Sequence, residues 1–129
     1  MPAKRQIHTT GTKWEDSIGY CRALKIGELI EVSGTVASDE GKLVGKGDPY
    51  KQAQFILQKI EKAIKALGGE MKDVVRTRIY VKDIKHWDKI GKAHAEYFRN
   101  VKPATTMVEV SQMINPGFLV EIEATAYKA

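Results

Sequence analysis

Two short stretches near the end of the chain constrain its fold more than any others. Pro103-Ala104-Thr105-Thr106-Met107-Val108-Glu109-Val110 and Val120-Glu121-Ile122-Glu123-Ala124 alternate polar and apolar residues, the period of a strand with one face buried. Both are expected to set carboxylates opposite their aliphatics, which gathers Glu109, Glu121 and Glu123 on one sheet face. Such a face needs water, a ligand or another subunit over it, because a buried unpaired carboxylate is costly. Asn115-Pro116-Gly117 makes the turn between the two strands.

Upstream, a short strand is expected near Arg5 to Thr9. A loop from Gly11 to Gly19 follows, whose Gly, Ser and Asp residues argue against regular structure. Trp14 in that loop either closes the edge of the core or walls a ligand pocket. Tyr20 to Ile26 and Leu29 to Val36 read as strands about Gly27-Glu28, a type II′ hairpin. Tyr20, Arg22 and Leu24 then share one face. Gly34 weakens its strand unless a bulge or a close backbone approach needs it. Asp39-Glu40-Gly41 turns into a short segment, Lys42 to Gly45.

Asp48 as N-cap and Pro49 at the first helical position start a helix that runs to Leu67 and stops at Gly68-Gly69. Ala53, Ile56, Leu57, Ile60, Ile64 and Leu67 make its apolar stripe, and Lys51, Lys59, Lys62 and Lys65 its wet face. Asp73 to Val81 is a strand with Val75, Thr77, Ile79 and Val81 on one side and Val74, Arg76, Arg78 and Tyr80 on the other. Its arginines match the glutamates of the last strands, and ion pairs follow if those strands are neighbours. A second helix spans Lys85 to Asn100, with Trp87, Ile90, His94, Tyr97, Phe98 and Val101 inward. On that stripe His94 reads as a satisfied histidine of the core or its rim. The order is β-β-β-α-β-α-β-β, one α+β domain over residues 1–129. Two helices cover only one face of such a sheet. The other carries Arg76, Arg78, Glu109, Glu121 and Glu123, and faces either water or copies of the same chain.

Composition narrows the function. The net charge of +5 would attract anions, but the lysines are interleaved with acids and form no basic block, so nucleic acid is not the expected partner. No apolar run approaches the ~20 residues that cross a bilayer. The polar N-terminus lacks the apolar segment of a signal peptide, and the single cysteine, Cys21, fits a reducing cytoplasm. Phosphate-binding loops, nucleophile elbows and metal-ligand clusters are all missing from the sequence, so neither cofactor nor metal is expected. A carboxylate on a strand face beside a cleft remains as the candidate for chemistry on water.

Leu29-Ile30-Glu31-Val32-Ser33-Gly34-Thr35, the helix after Gly47-Asp48, Asp73 to Asp83, Pro103 to Val110 and Val120 to Ala126 together resemble the RidA/YjgF family, over about residues 18 to 128. The resemblance implies a chorismate-mutase-like α+β fold, a mixed sheet with two helices on one face. It also implies a homotrimer with ligand clefts between subunits, the open sheet faces closing towards one another. Family members hydrolyse reactive enamines and imines to keto acids and ammonia. By position, Glu121 matches the water-positioning glutamate, Tyr20 the cleft tyrosine and Gly34 the strand glycine lining the pocket. Met107 and Trp14 join them as candidate substrate contacts. The family's Pro-Ala-Arg-Ser signature reads Pro103-Ala104-Thr105-Thr106 here, so its carboxylate-holding arginine is Thr105. Gly91 stands at the position of a helix asparagine. Arg22, projecting from the strand face of Tyr20, is the candidate to hold an anion instead. The expectation is an imine deaminase with an altered substrate. Its rivals are a non-catalytic binding or protective trimer and, behind both, an RNA-binding protein, for which no stacking platform of aromatic and basic residues is visible.

Overall fold

The computed structural model describes residues 4–129; the first three residues of the polar lead lie outside them. A six-stranded mixed sheet has the order β1-β2-β3-β8-β6-β7. The strands are β1 (Arg5–His8), β2 (Ala23–Ile26), β3 (Leu29–Thr35), β6 (Val74–Val81), β7 (Ala104–Glu109) and β8 (Val120–Tyr127). A small hairpin of β4 (Ser38–Asp39) and β5 (Lys42–Leu43) stands apart. The helices are α1 (Lys13–Ile18), α2 (Pro49–Ala66) and α3 (Trp87–Phe98). This is the mixed α+β architecture expected, with the two long helices packed on each other.

Local chemistry sets the ends of these elements. Asp48 accepts from the Lys51 amide at 3.0 Å, Pro49 supplies the first turn, and Leu67 and then Gly68 at φ 86° close α2. Its expected stripe is buried from Ala53 to Leu67. It meets Ile30 and Val32 of β3, Ile79 and Val81 of β6, Ile90 and Phe98 of α3, and Val120 and Ile122 of β8 in one core. Each large aliphatic there stabilises the fold by roughly 1.5–3 kcal/mol. Gln52 is fully buried among them. Its amide nitrogen donates to the carbonyls of Gly45 and Gly117, and its oxygen accepts from the Leu119 amide. One side chain thereby ties both flanking loops to α2.

Several expectations need correction. The stretch expected to be a loop from Gly11 to Gly19 contains α1, because Thr12 caps it by accepting from the Glu15 amide and Gly19, at φ 88°, ends it. The strand expected from Tyr20 begins at Ala23. The last two strands are not neighbours: β8 lies between β3 and β6, while β7 runs parallel to β6 at the sheet edge after the α3 crossover. A register shift between Val74 and Arg76 turns Val75 out to solvent, since a bulge moves the following side chains to the other face. Trp87 sits at the start of α3 and is 62% exposed rather than inward. Glu109 pairs in register with Val81, as Thr105 does with Thr77 and Met107 with Ile79. That parity puts Glu109 on the helix side, where its carboxylate accepts from the Ile84 amide. The expected acidic face therefore holds Glu121 and Glu123 without Glu109.

Candidate ligand site

Three strands meet where the site's charged groups gather. Between Val32 and Thr35 the ladder of β3 with β8 breaks register, so Gly34 sits in a bulge. A Cβ built on Gly34 would overlap Oε2 of Glu121 and lie 3.1 Å from its Cδ. The bulge foreseen as one reason for Gly34 is present, and a side chain there would displace the end of Glu121. Glu121 extends from β8 over the bulge, half-buried, and forms no side-chain hydrogen bond among the described residues. Burial pushes its carboxyl above the usual carboxylate range, partly opposed by Arg22 and reinforced by the charge of Glu123.

Arg22 lies beneath this corner, 8% exposed. Its Nη2 donates to the Gly34 carbonyl at 2.7 Å, its Nε is buried without a partner, and its guanidinium sits 5.7 Å from the centre of the Tyr20 ring. Glu15 is buried on the α1 side and accepts from the Thr10 amide, the Thr10 hydroxyl and the Thr12 hydroxyl. Burial raises its carboxyl, but those hydrogen bonds, joined by the Arg22 charge, more than compensate and hold it low. Lys59 of α2 donates to the Ser38 carbonyl, and burial followed by Arg22 lowers its ammonium. Tyr20, Cys21, Leu24, Glu31 and Ser33 line a depression of about 890 Å³ beside α1. Trp14 is not among its walls; it lies on the outer side of α1, 52% exposed.

Thr105 and Met107 occupy a different place. Both point to the helix side of edge strand β7, whereas Glu121 points to the open side. Met107 packs against the core. The Thr105 hydroxyl lies 2.7 Å from the Thr77 hydroxyl and 3.1 Å from the Pro103 carbonyl, and Thr77 in turn lies 2.9 Å from Nε2 of His94. His94 packs on Phe98 with ring centroids 4.6 Å apart. Burial holds its imidazole below the ordinary value, so it is the satisfied rim histidine expected. The chain thus brings Tyr20, Arg22, Gly34 and Glu121 together and keeps Thr105 and Met107 apart from them.

The whole length of the fold has counterparts. A family model described as Endoribonuclease L-PSP matches residues 11–128. The chain belongs to the RidA/YjgF family. Rv2704 of Mycobacterium tuberculosis, solved as a member of the YjgF/YER057c/UK114 family, is 43% identical, with a TM-score of 0.89 over 97% of this chain and 100% of that one. A Streptomyces coelicolor protein, SCO2049, is 36% identical over 98% of this chain and 93% of its own length. The 3-aminoacrylate deaminase RutC of Acinetobacter baylyi is 32% identical over 84% of this chain and 86% of its own.

Sequence reasoning passed over Glu15, Tyr80 and Thr77. Thr12-x-x-Glu15 is a capping-box spacing that would have revealed both α1 and its buried carboxylate. The Thr77 chain had no such signal, because it depends on β6 and β7 being parallel neighbours.

Proposed function

We propose that this RidA/YjgF protein hydrolyses an enamine or imine to a carbonyl compound and ammonia in the cytoplasm. Its substrate differs from one anchored through a carboxylate, because Thr105 stands at the arginine position of the family signature. The observation that carries this reading is Glu121: a half-buried carboxylate with a raised proton affinity, held over a glycine bulge with no side-chain partner to consume its oxygens. Such a group is a stronger base towards water than an ordinary carboxylate.

In the proposed reaction the enamine first tautomerises to its imine. Glu121 then accepts a proton as the water oxygen bonds to the imine carbon, the C=N π electrons passing to nitrogen. The carboxylic acid returns the proton to nitrogen, and Glu121 then carries the carbinolamine hydroxyl proton to the same nitrogen as the C–N bond breaks, the C=O bond forms and ammonia leaves. Tyr20 and Gly34 wall the site beside Glu121. Arg22 acts from behind them, its charge keeping Glu121 ionisable despite burial.

Homotrimerisation completes the reading. The open sheet face mixes the Arg78–Glu123 pair with exposed Ile7, Ile26, Leu29, Val108 and Tyr127, an apolar surface that calls for a partner. In the proposed trimer the edge strand β7 of one subunit, with Thr105 and Met107, borders the Glu121 corner of the next. The test is freshly generated 2-aminoacrylamide, with 2-aminoacrylate as its charged counterpart, and release of pyruvamide or pyruvate with ammonia as the readout, alongside the solution mass. Acceleration over buffer that Glu121→Ala removes supports the enzyme. A monomeric mass, or a rate indifferent to Glu121→Ala, sinks the corresponding half of the proposal.

A further inference from the structure

A polar chain runs from the helix layer to the sheet edge and has no part in the chemistry at Glu121. It links Nε2 of His94, the Thr77 hydroxyl and the Thr105 hydroxyl at 2.9 and 2.7 Å. Thr77 is wholly buried, while Thr105 is exposed, so the chain opens to ligands at one end only. Each hydroxyl carries one proton and two lone pairs. The chain can therefore run in two directions, and the tautomer of His94 decides which.

With Nε2 unprotonated, Thr105 donates to Thr77 and Thr77 donates to the imidazole. The outer lone pair of Thr105 then accepts from a ligand N–H or O–H. With Nε2 protonated, the imidazole donates to Thr77, Thr77 donates to Thr105, and the Thr105 proton is free for the Pro103 carbonyl at 3.1 Å or for a ligand oxygen. Burial keeps the ring neutral near pH 7, and a neutral ring has both tautomers available. The guanidinium of Arg76 turns to the other sheet face, where it donates to Thr106. One turn before His94, a Cβ on Gly91 would meet nothing within 4 Å, so the helix surface beside the chain is unfilled.

We propose that Thr105 is a specificity-determining contact for an uncharged polar group, such as a carboxamide, and that Thr77 and His94 are positioning residues that choose whether it gives or takes a hydrogen bond. This rests on the reading above that the β7 edge borders the ligand cleft. It narrows the substrate class to imines that are neutral where a 2-imino acid carries its carboxylate. A neutral hydroxyl returns little to a carboxylate stripped of water, whereas an amide can satisfy either direction of the chain.

The test uses the full chain, labelled with nitrogen-15 at histidine and carbon-13 at the threonine methyls. It is titrated with pyruvate or pyruvamide, products that differ in charge at that one position. Pyruvamide is expected to bind about tenfold more tightly than pyruvate, moving the Thr105 and Thr77 methyl signals and the tautomer-sensitive nitrogen shifts of His94. Thr105→Ser should keep this preference and Thr105→Val should abolish it. Thr77→Val should silence the His94 response while the spectrum of the fold persists, and Thr105→Arg should invert the preference. Tighter binding of pyruvate to the unaltered protein, a preference unchanged in Thr105→Val, or no response of His94 to either ligand overturns the proposal. The deaminase reading is judged separately. If 2-aminoacrylate and 2-aminoacrylamide both go unhydrolysed while the pyruvamide preference holds, the hydrolase falls and the specificity stands. Turnover with tighter pyruvate binding has the opposite meaning.

Discussion

Glu121 and Glu123 stand two residues apart on β8 and face the same open side of the sheet, yet their surroundings differ. Glu123 is tied: it accepts from the Tyr80 hydroxyl at 2.7 Å and pairs with Arg78 at 3.4 Å, its register partner on β6. That hydrogen bond pushes the Tyr80 phenol up, as a donor held by a carboxylate should be. Glu121 has no such partner. Its neighbours are the Gly34 bulge and, behind it, Arg22, whose Nη2 is already committed to a carbonyl. One carboxylate is a cross-strand strut, and the other is held at a cost of desolvation that stability alone does not explain. On the proposed reading, their difference separates structure from function on a single strand.

The contrast is most easily broken by exchanging the two behaviours. Glu121→Ala should lower the rate of 2-aminoacrylamide hydrolysis on the order of 10²–10⁴-fold, the range of a general base, with the urea midpoint unchanged or raised. Glu123→Gln should leave that rate within a few-fold. Next in size, Gly34→Ala places a methyl where Oε2 of Glu121 lies. Because the obstacle is the end of a flexible side chain, the protein should fold, and the displaced carboxylate should cost roughly tenfold to a hundredfold in kcat. Recovery of full activity in this variant would mean that Glu121 need not occupy its present position.

On stability, Arg22→Met should cost about 2–3 kcal/mol in urea unfolding, because the half-buried Gly34 carbonyl loses its donor and Glu15 and Glu121 lose a countercharge. Glu123→Gln should cost about 1 kcal/mol or less, since Arg78 and Glu123 are partly in water and screened. A larger loss for Glu123→Gln than for Arg22→Met would reverse the assignment of strut and support.

The smallest effect is a pH dependence. The folded carboxyl of Glu121 titrates above its ordinary 4.5, so between those values the folded state binds more protons than the unfolded chain. The stability it contributes is complete below 4.5 and is lost as pH rises through the folded value. Glu121→Gln should therefore flatten that decline in a pH series of urea midpoints. His94 works in the other direction. Burial lowers its folded value below 6.5, so the unfolded chain takes up the proton first and stability falls as pH drops through that window. A decline unchanged in Glu121→Gln would locate the responsible group elsewhere.

Legibility followed the range of the interaction. The apolar stripe and both ends of α2 were readable because caps and periodicity are local, and Gly34 announced itself as an oddity within a strand. The parity of Glu109 was not readable in the same way. A parallel pairing of β7 with β6 fixes its face, and nothing within Thr105 to Val110 states that pairing. The buried Glu15 and exposed Trp14 invert the usual rule for a short helix. The inversion follows from hydroxyls at Thr10 and Thr12 that surround the carboxylate only once α1 has formed.

What the sequence determined by itself was the two long helices and most of the strands, the buried stripe, the family and the replacement of an arginine by Thr105, all carried by local patterns and by motif. Which carboxylate is free, which is tied, and where Thr105 spends its hydroxyl were decided by tertiary structure. Each depends on strands that are distant in the chain becoming neighbours at a particular register, and a one-residue shift in register sends a side chain to the opposite face.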